Sequence, residues 1–184
     1  AKVRLPWLLS CLVGTGVTAI ILTFFQDLFA ANETAILYST MVSFVPMVAA
    51  VSGSAGVQTS TVVVSGFASG AIAHTRLKKV ITREMRVAGL VALCCGTLTL
   101  ILCQVLLDPE AVADIVEAST IILVSGGAMA LAIIASTLLG ISLPFLFHKV
   151  GIDPAVSSGP LVTSLNDSIS VTIFMGIMAF IVRL

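Results

Sequence analysis

Five long runs of apolar residues, each free of charge or nearly so, constrain this 184-residue chain more than any other feature. A helix needs about 20 apolar residues to cross the hydrocarbon core of a bilayer. Hydrophobic residues make up 58% of the chain and charged residues 10%, whereas a typical soluble domain has about 25% charged residues. We therefore expect a single transmembrane domain over residues 1–184. The five runs are residues 5–29, 34–73, 87–107, 118–147 and 155–182.

The runs are continuous and contain many glycine and alanine residues. Strands of a membrane barrel would instead alternate apolar and polar residues over segments of about 10 residues. The chain has nine basic and nine acidic residues, so its net charge is zero and a basic face for a nucleic-acid partner is not indicated. The sequence predicts an all-α integral membrane protein whose partner is the lipid bilayer and not nucleic acid.

Basic residues predict how the chain is threaded, because they are more frequent in cytoplasmic loops than in external ones. The run 34–73 is long enough for one broken helix or for two short helices that turn near Ser52. With one span per run, eight of the nine basic residues lie on the same side. Two spans in this run would move the cluster in residues 76–86 to the other side. We therefore predict a multi-pass protein of the cytoplasmic membrane with five transmembrane helices, a cytoplasmic N-terminus and an external C-terminus.

Asp167 is the residue that helix packing does not explain. It lies near the middle of the last run, where an ionised carboxylate costs at least about 2.5 kcal/mol, and no lysine or arginine lies in any run to neutralise it. Helical spacing places Thr163 and Ser170 on its side of the helix, with Asn166 adjacent. Oxygen ligands without His or Cys suit hard cations such as Mg²⁺, Ca²⁺, Mn²⁺ and Na⁺. We expect a permeating cation to be the partner of Asp167.

Two other interpretations of Asp167 remain open. In the first, the carboxyl group is protonated or hydrogen-bonded to a neighbouring helix and serves structure only, so a structural subunit would tolerate Asp167→Asn. The second is a proton relay, although relays usually chain several acidic or histidine residues. An intramembrane enzyme is not expected, since no His or Lys lies inside a run beside a Ser or Thr nucleophile.

The second run supplies a partner surface for Asp167. Pro46 removes a backbone donor, and residues 52–61 are rich in serine, threonine and glycine, so we expect an irregular backbone whose carbonyl oxygens face the cation. The second and fifth helices run antiparallel in the predicted topology, which lets Gly53 and Asp167 meet near the midplane. A symmetric dimer would bring two copies of Asp167 to a two-fold axis.

Five segments carry a resemblance to a known family: residues 4–8, residues 46–58, the step Gly140-x-x-x-Pro144-Phe145, residues 151–155 and residues 160–167. In this order they resemble the transmembrane domain of the MgtE-type magnesium channels, the bacterial relatives of eukaryotic magnesium solute carriers. The resemblance covers essentially the whole chain. It implies a homodimer of five-helix protomers with a pore at the dimer axis, lined by the second and fifth helices, and Mg²⁺ as the transported and bound ion.

The resemblance also implies roles for individual residues. Asp167 of both subunits would hold a largely hydrated Mg²⁺ at the midplane, helped by the positions of Ala50, Gly53, Gly159 and Thr163. On the same two helices the expected pore-lining residues are Pro46, Ser54, Val57, Gln58, Thr61, Asn166 and Ser170. Because Mg²⁺ holds its waters tightly, a site with few carboxylates around a hydrated ion is chemically reasonable.

The chain departs from the family pattern at three amide positions, which are occupied here by Ser54, Val57 and Gly159. A channel or transporter for Mg²⁺ is the expected function, and the alternative is a cation exporter or exchanger for Mn²⁺, Co²⁺ or Ca²⁺, or one coupled to Na⁺. Full-length family members carry a cytoplasmic regulatory part with paired cystathionine-synthase-type domains. We expect no such domain, and none of its Mg²⁺-dependent gating, in this chain.

Overall fold

The computed structural model of the protein describes residues 4–70, 77–108, 117–157 and 159–182. All regular structure in these residues is helical. The helices are α1 (Arg4–Ala31), α2 (Ala35–Val42), α3 (Val45–Ala68), α4 (Leu77–Leu106), α5 (Ala118–Lys149) and α6 (Pro160–Val182). A short 3-10 turn at Pro154–Ser157 precedes α6.

Five of these helices are long and apolar enough to cross a membrane, namely α1, α3, α4, α5 and α6. The shortest of them, α6, has 23 residues, and at 1.5 Å per residue it is about 35 Å long, which exceeds the roughly 30 Å hydrocarbon core. Helix α2 has 8 residues and is too short to span. The prediction of an all-α membrane fold with five transmembrane helices is confirmed.

The second apolar run of the sequence divides into α2 and α3. Helix α2 ends at Val42, and α3 begins at Val45 with Pro46 in its first turn. This position suits proline, because the first N–H groups of a helix have no partner within it and the ring presets the helical φ. Pro46 therefore starts the transmembrane helix and does not interrupt it.

The expectation of an irregular backbone in residues 52–61 is wrong, since α3 is a continuous α-helix through this segment. The hydroxyl groups of Ser52, Ser54 and Thr61 in this segment turn back to the helix itself. Ser52 donates to the carbonyl of Val48 at 2.7 Å. Ser54 donates to the carbonyl of Ala50 at 2.8 Å. Bonds of this kind satisfy polar side chains in an apolar environment, so a segment rich in serine and threonine needs no opening of its backbone.

Helices α3, α5 and α6 form the centre of the bundle. Helix α1 lies against α6, and α4 lies against α5. Helix α2 contacts α1, where the Tyr38 hydroxyl donates to the carbonyl of Leu22 at 3.1 Å. The central helices supply the large buried side chains, among them Met129, Ile133 and Phe174. The outer faces of α1 and α4 remain apolar and exposed.

Two close helix crossings depend on glycine. A Cβ atom at Gly140 of α5 would overlap the carbonyl of Gly56 in α3. At the other crossing, a Cβ atom at Gly126 of α5 would lie 2.9 Å from the carbonyl oxygen of Gly96 in α4. Small residues let membrane helices approach closely and gain van der Waals contact. These crossings hold α5 between α3 and α4.

Aromatic contacts show which helix ends share a membrane face. The Phe67 ring near the end of α3 stacks on His148 near the end of α5, with ring centroids 4.4 Å apart. Phe67 also meets Phe145 at a centroid distance of 4.8 Å. Helix α4 runs antiparallel to α5, so it begins on this face. This face carries Lys78, Lys79, Arg83, Arg86 and Lys149. Lys2, Arg76 and Arg183 lie outside the described residues.

Candidate cation site

A polar seam joins α3 to α6 inside the protein. At its centre lies Asn166, whose side chain is completely buried. Its amide nitrogen donates to the carbonyl of Ala49 at 3.2 Å and to the hydroxyl of Ser52 at 3.1 Å. The Ser170 hydroxyl donates to the amide oxygen of Asn166 at 3.1 Å, and its oxygen lies 2.8 Å from that of Ser52. These hydrogen bonds hold α3 against α6.

The seam also fixes the relative direction of the two helices. Ser52 contacts Ser170, which lies towards the middle of α6. Gly56, one turn further along α3, instead approaches Val162 in the first turn of α6. The two helices therefore run antiparallel, in agreement with the alternating threading of the five spans.

A cavity of about 580 Å³ lies beside this seam, between the same two helices. Successive residues of a helix point about 100° apart, so Asn166 faces the seam while its neighbour Asp167 faces the cavity. Asp167 is half-buried. The residues that line the cavity are Ala49, Ala50, Gly53, Ser54, Val57, Gln58, Thr163 and Asp167.

The α3 wall of the cavity follows from helical spacing. Ala50, Gly53, Ser54 and Val57 occupy positions i, i+3, i+4 and i+7, so they lie in one strip along the helix. The small side chains of this strip leave space between α3 and α6. A Cβ atom at Gly53 would lie 3.2 Å from the amide nitrogen of Asn166. Gly53 therefore belongs both to the cavity wall and to the close contact of α3 with the seam.

Two hydroxyl groups in the cavity are oriented as acceptors. Ser54 donates its proton to the carbonyl of Ala50 at 2.8 Å, and Thr163 donates to that of Pro160 at 2.9 Å. Because each proton is directed at the helix, the remaining lone pairs of both oxygens are available to bound water. The cavity thus combines a carboxylate, two hydroxyl groups and the amide of Gln58.

Asp167 supplies the acidic group among the described residues that line the cavity, and none of these residues is basic. Within the described part of the chain, no group of three or more His, Cys, Asp or Glu side chains is placed to hold a metal ion. An ion stripped of its water would need more oxygen ligands than one carboxylate and a few neutral groups supply. The arrangement suits a cation that keeps most of its hydration shell.

The cavity brings together most of the residues that the sequence predicts for the site. From the expected metal-binding set it contains Ala50, Gly53, Thr163 and Asp167, and from the expected pore-lining set it contains Ser54, Val57 and Gln58. Ala49 is an additional lining residue. Its position one helical turn before Gly53 indicates that it lies on the same side of α3.

Five predicted residues lie outside the lining of the cavity. Gly159 precedes α6, and its carbonyl accepts a hydrogen bond from the backbone of the first turn at 3.1 Å. Pro46 and Thr61 are exposed on α3, before and after the lining residues. Asn166 and Ser170 are buried in the seam. The last two residues hold the cavity wall in place and do not face the cavity.

Ser52 has a role in the seam that its sequence context did not reveal. It is fully buried, accepts a hydrogen bond from Asn166 and lies with its oxygen 2.8 Å from that of Ser170. The available signal was its spacing, because Ser52, Gly56 and Ser60 recur every four residues and mark the buried, close-packed side of α3.

Comparison with known proteins shows the family to which the chain belongs. The chain matches the family model MgtE, described as a divalent cation transporter, over residues 45–177. This range contains all residues that line the cavity. The curated magnesium transporter MgtE of Bacillus subtilis is 32% identical over 174 residues, which are 95% of this chain and 35% of the relative.

Two further relatives carry the same name. The magnesium transporter MgtE of Enterococcus faecalis is 30% identical over 184 residues, 100% of this chain and 37% of the relative. That of Thermus thermophilus is 28% identical over 175 residues, 95% of this chain and 35% of the relative. The chain thus spans little more than a third of the length of these curated relatives. Both the family match and the relatives confirm that the chain belongs to the MgtE family of divalent cation transporters.

Proposed function

We propose that this protein moves a divalent cation, Mg²⁺, across the cytoplasmic membrane along a path between α3 and α6. The observation that carries the proposal is the cavity in which the Asp167 carboxylate stands within membrane-spanning helices. The relatives are named magnesium transporters. Transport rather than catalysis fits the site, because its described lining offers oxygen ligands and no nucleophile paired with a base.

The cavity has room for a hydrated ion. Mg²⁺ takes octahedral geometry and gives up water reluctantly. Six waters at about 30 Å³ each occupy about 180 Å³, well within the cavity of about 580 Å³. The Asp167 carboxylate then acts on the water shell as a charge and a hydrogen-bond acceptor. Ser54 and Thr163 accept hydrogen bonds from the same shell.

A second copy of the chain completes the site in this proposal. A single carboxylate leaves a divalent cation with one uncompensated positive charge. The lining residues Ser54, Gln58 and Thr163 are exposed in the single chain, so the cavity lies on a surface that another protomer can cover. A two-fold axis at this surface would place two Asp167 side chains around one ion and line a central path with α3 and α6 of both copies.

We infer the orientation from the charged helix ends. The face with Lys78, Lys79, Arg83, Arg86 and Lys149 is cytoplasmic in this proposal, because basic residues concentrate on that side of a membrane. The N-terminus is then cytoplasmic and the C-terminus external. Mg²⁺ enters the proposal as the transported ion, which binds at Asp167 on its way.

Cation flux into liposomes tests the proposal. The purified wild type, Asp167→Asn and Asp27→Asn are reconstituted in parallel, and uptake of Mg²⁺, Mn²⁺, Ca²⁺ and Na⁺ is recorded. Asp27→Asn is the matched control, because it removes an exposed carboxylate from α1, outside the cavity. We expect divalent flux in the wild type and in Asp27→Asn, and its loss in Asp167→Asn. Equal flux in all three proteins, or none in any, would overturn the proposal.

The replaced lining favours a second candidate, an exporter or exchanger for another divalent cation. Val57 and Ser54 offer an apolar group and one hydroxyl where the family pattern has amides, and such a lining also accepts Mn²⁺ or Ca²⁺. The same liposome flux assay distinguishes the two candidate functions. A flux of Mn²⁺ or Ca²⁺ that exceeds that of Mg²⁺ and requires Asp167 would favour the second candidate.

A further inference from the structure

A patch of basic side chains on the first turns of α4 lines one side of a second cavity. The cavity has a volume of about 790 Å³, and its lining includes exposed Lys78, Lys79, Arg83 and Arg86 together with the Thr82 hydroxyl. None of its described lining residues is acidic. The patch therefore concentrates four positive charges beside a space large enough for a polar ligand.

The one acidic residue in this part of α4 does not neutralise the patch. Glu84 is buried, at 7% exposure. It lies on the side of α4 that carries the other buried residues, Ala88 and Ala92, and this is the side packed against α5. The basic side chains point away from that side. Their charge is therefore presented to the surroundings of the bundle.

The length of α4 places the patch at the level of lipid headgroups. The helix has 30 residues, which is about 45 Å, whereas the hydrocarbon core is roughly 30 Å thick. Its charge-free part, residues 87–107, is enough to cross the core. The preceding turns, which hold the patch, must then extend into the headgroup layer. Phosphate groups are the abundant anions of that layer.

An apolar track continues from the patch towards the membrane centre. Arg83, Arg86, Leu90 and Leu93 follow one another at intervals of three or four residues, so they lie along one side of α4. Leu90 and Leu93 are each 67% exposed. Charge above an exposed apolar track is the counterpart of a phospholipid, which has an anionic head and apolar chains.

This side of α4 is also remote from the cation cavity. Helix α4 packs mainly on α5, and α5 lies between it and both α3 and α6. A second protomer that covers the Asp167 cavity therefore leaves the patch facing lipid. The patch and the apolar track are available in the single chain and in the proposed dimer.

We propose that this patch is a binding site for an anionic phospholipid. The guanidinium groups of Arg83 and Arg86 hold the headgroup phosphate, which they match in planar, two-pronged geometry. Lys78 and Lys79 add charge, and the acyl chains lie along Leu90 and Leu93. A free phosphate ion shares the headgroup chemistry, but it lacks the chains that would cover the apolar track. The proposal does not depend on ion transport.

Lipid retention measured by native mass spectrometry tests the proposal. Wild type, the double variant Arg83→Gln/Arg86→Gln and Lys149→Gln are each incubated with equal amounts of phosphatidylglycerol and phosphatidylcholine. Lys149→Gln removes an exposed charge from the same membrane face outside the patch. We expect the wild type and Lys149→Gln to retain phosphatidylglycerol preferentially. Loss of both guanidinium groups should weaken binding about tenfold or more.

A charge-preserving variant and a control with inorganic phosphate are measured alongside these proteins. Arg83→Lys/Arg86→Lys should keep an intermediate preference, because it retains the charge and loses the two-pronged geometry. Inorganic phosphate added to protein in phosphatidylcholine should leave the unfolding temperature unchanged, whereas phosphatidylglycerol raises it. The lipid assignment is overturned if phosphate alone raises that temperature as much, if the wild type shows no lipid preference, or if the double Gln variant, folded by circular dichroism, retains lipid like Lys149→Gln.

Discussion

The hydroxyl oxygens of Ser52 in α3 and Ser170 in α6 lie 2.8 Å apart, and both side chains are completely buried. Both residues also bond to Asn166, so one connected set of hydrogen bonds joins the two helices that enclose the Asp167 cavity. The spacing of α3 and α6, and with it the width of the cavity, depends on this set. Residues that never touch the ion can therefore influence which ion is accepted.

The substitution Asn166→Leu removes the three hydrogen bonds of the Asn166 side chain at nearly constant volume. Hydrogen bonds between membrane helices contribute about 0.6 kcal/mol each on average, so we expect a loss of about 1 to 2 kcal/mol in unfolding free energy. We also expect a smaller ratio of Mg²⁺ to Ca²⁺ flux, because the cavity width is less well fixed. Thermal unfolding in detergent and flux into liposomes measure the two effects.

Ser168→Ala is the matched control for this prediction. It removes a hydrogen bond of 2.8 Å to Thr18, which joins α6 to α1 and not to α3. We expect a slight loss of stability and an unchanged flux ratio. If Ser168→Ala alters the flux ratio as much as Asn166→Leu, the seam has no special relation to the cavity.

The crossing of α3 and α5 predicts a strong position dependence for Gly→Ala changes. Gly140→Ala places a methyl group against the Gly56 carbonyl, and such overpacking typically costs about 1 to 3 kcal/mol. Gly127→Ala, on the same helix, meets nothing within 4 Å and should be neutral or stabilising, because alanine favours the helix by up to about 1 kcal/mol. The unfolding temperatures of the Gly140→Ala and Gly127→Ala variants measure this difference. Equal tolerance of both changes would contradict the close crossing.

Thr163→Val removes a cavity hydroxyl without a large change in shape. The loss of one acceptor for the hydration shell should weaken Mg²⁺ binding by a factor of about 2 to 10, corresponding to about 0.5 to 1.5 kcal/mol per hydrogen bond. Thr172→Val is the control, since Thr172 is exposed on α6, bonds its own helix and lies outside the cavity. A weakening of similar size in Thr172→Val would show that the effect is not local to the cavity.

The proposed two-fold axis predicts a pattern of cross-links. In a background with the native cysteines replaced by alanine, Thr61→Cys should form a disulfide with its copy in membranes, because Thr61 is exposed on α3 next to the cavity strip. Val105→Cys, on the outer side of α4 and 75% exposed, should not. Gel mobility under oxidising conditions reports the outcome, and cross-linking of Val105→Cys alone would place the dimer contact elsewhere.

Much of the fold and the central residue of the site follow from the sequence because they depend on properties of single segments. Charge-free length predicts the five spans, and the cost of an unpaired charge in lipid singles out Asp167. The break between α2 and α3 is harder to foresee. It depends on whether Pro46 stands inside a helix or begins one, and apolar length alone does not distinguish these cases.

The roles of Asn166 and Ser170 could not be predicted from the properties of a single segment. Asn166 is adjacent to Asp167 in sequence, but about 100° of rotation separates the two side chains. Ser170 lies one turn after Asn166 and shares its side of the helix. The partner helix α3 decides which side of α6 faces the cavity and which side faces the seam. The small residues of α3 contribute most to this arrangement. The hydroxyl groups of Ser54 and Thr61 needed no broken backbone, because they donate to carbonyls of α3 itself.

The role of Asp167 as the cation site is tested by the affinity of the purified protein for Mg²⁺, measured by isothermal titration calorimetry for wild type, Asp167→Asn and Asp27→Asn. We expect saturable binding by wild type and Asp27→Asn, and no detectable binding by Asp167→Asn in protein that remains folded. Unchanged affinity in folded Asp167→Asn would contradict the assignment of Asp167 as the cation site.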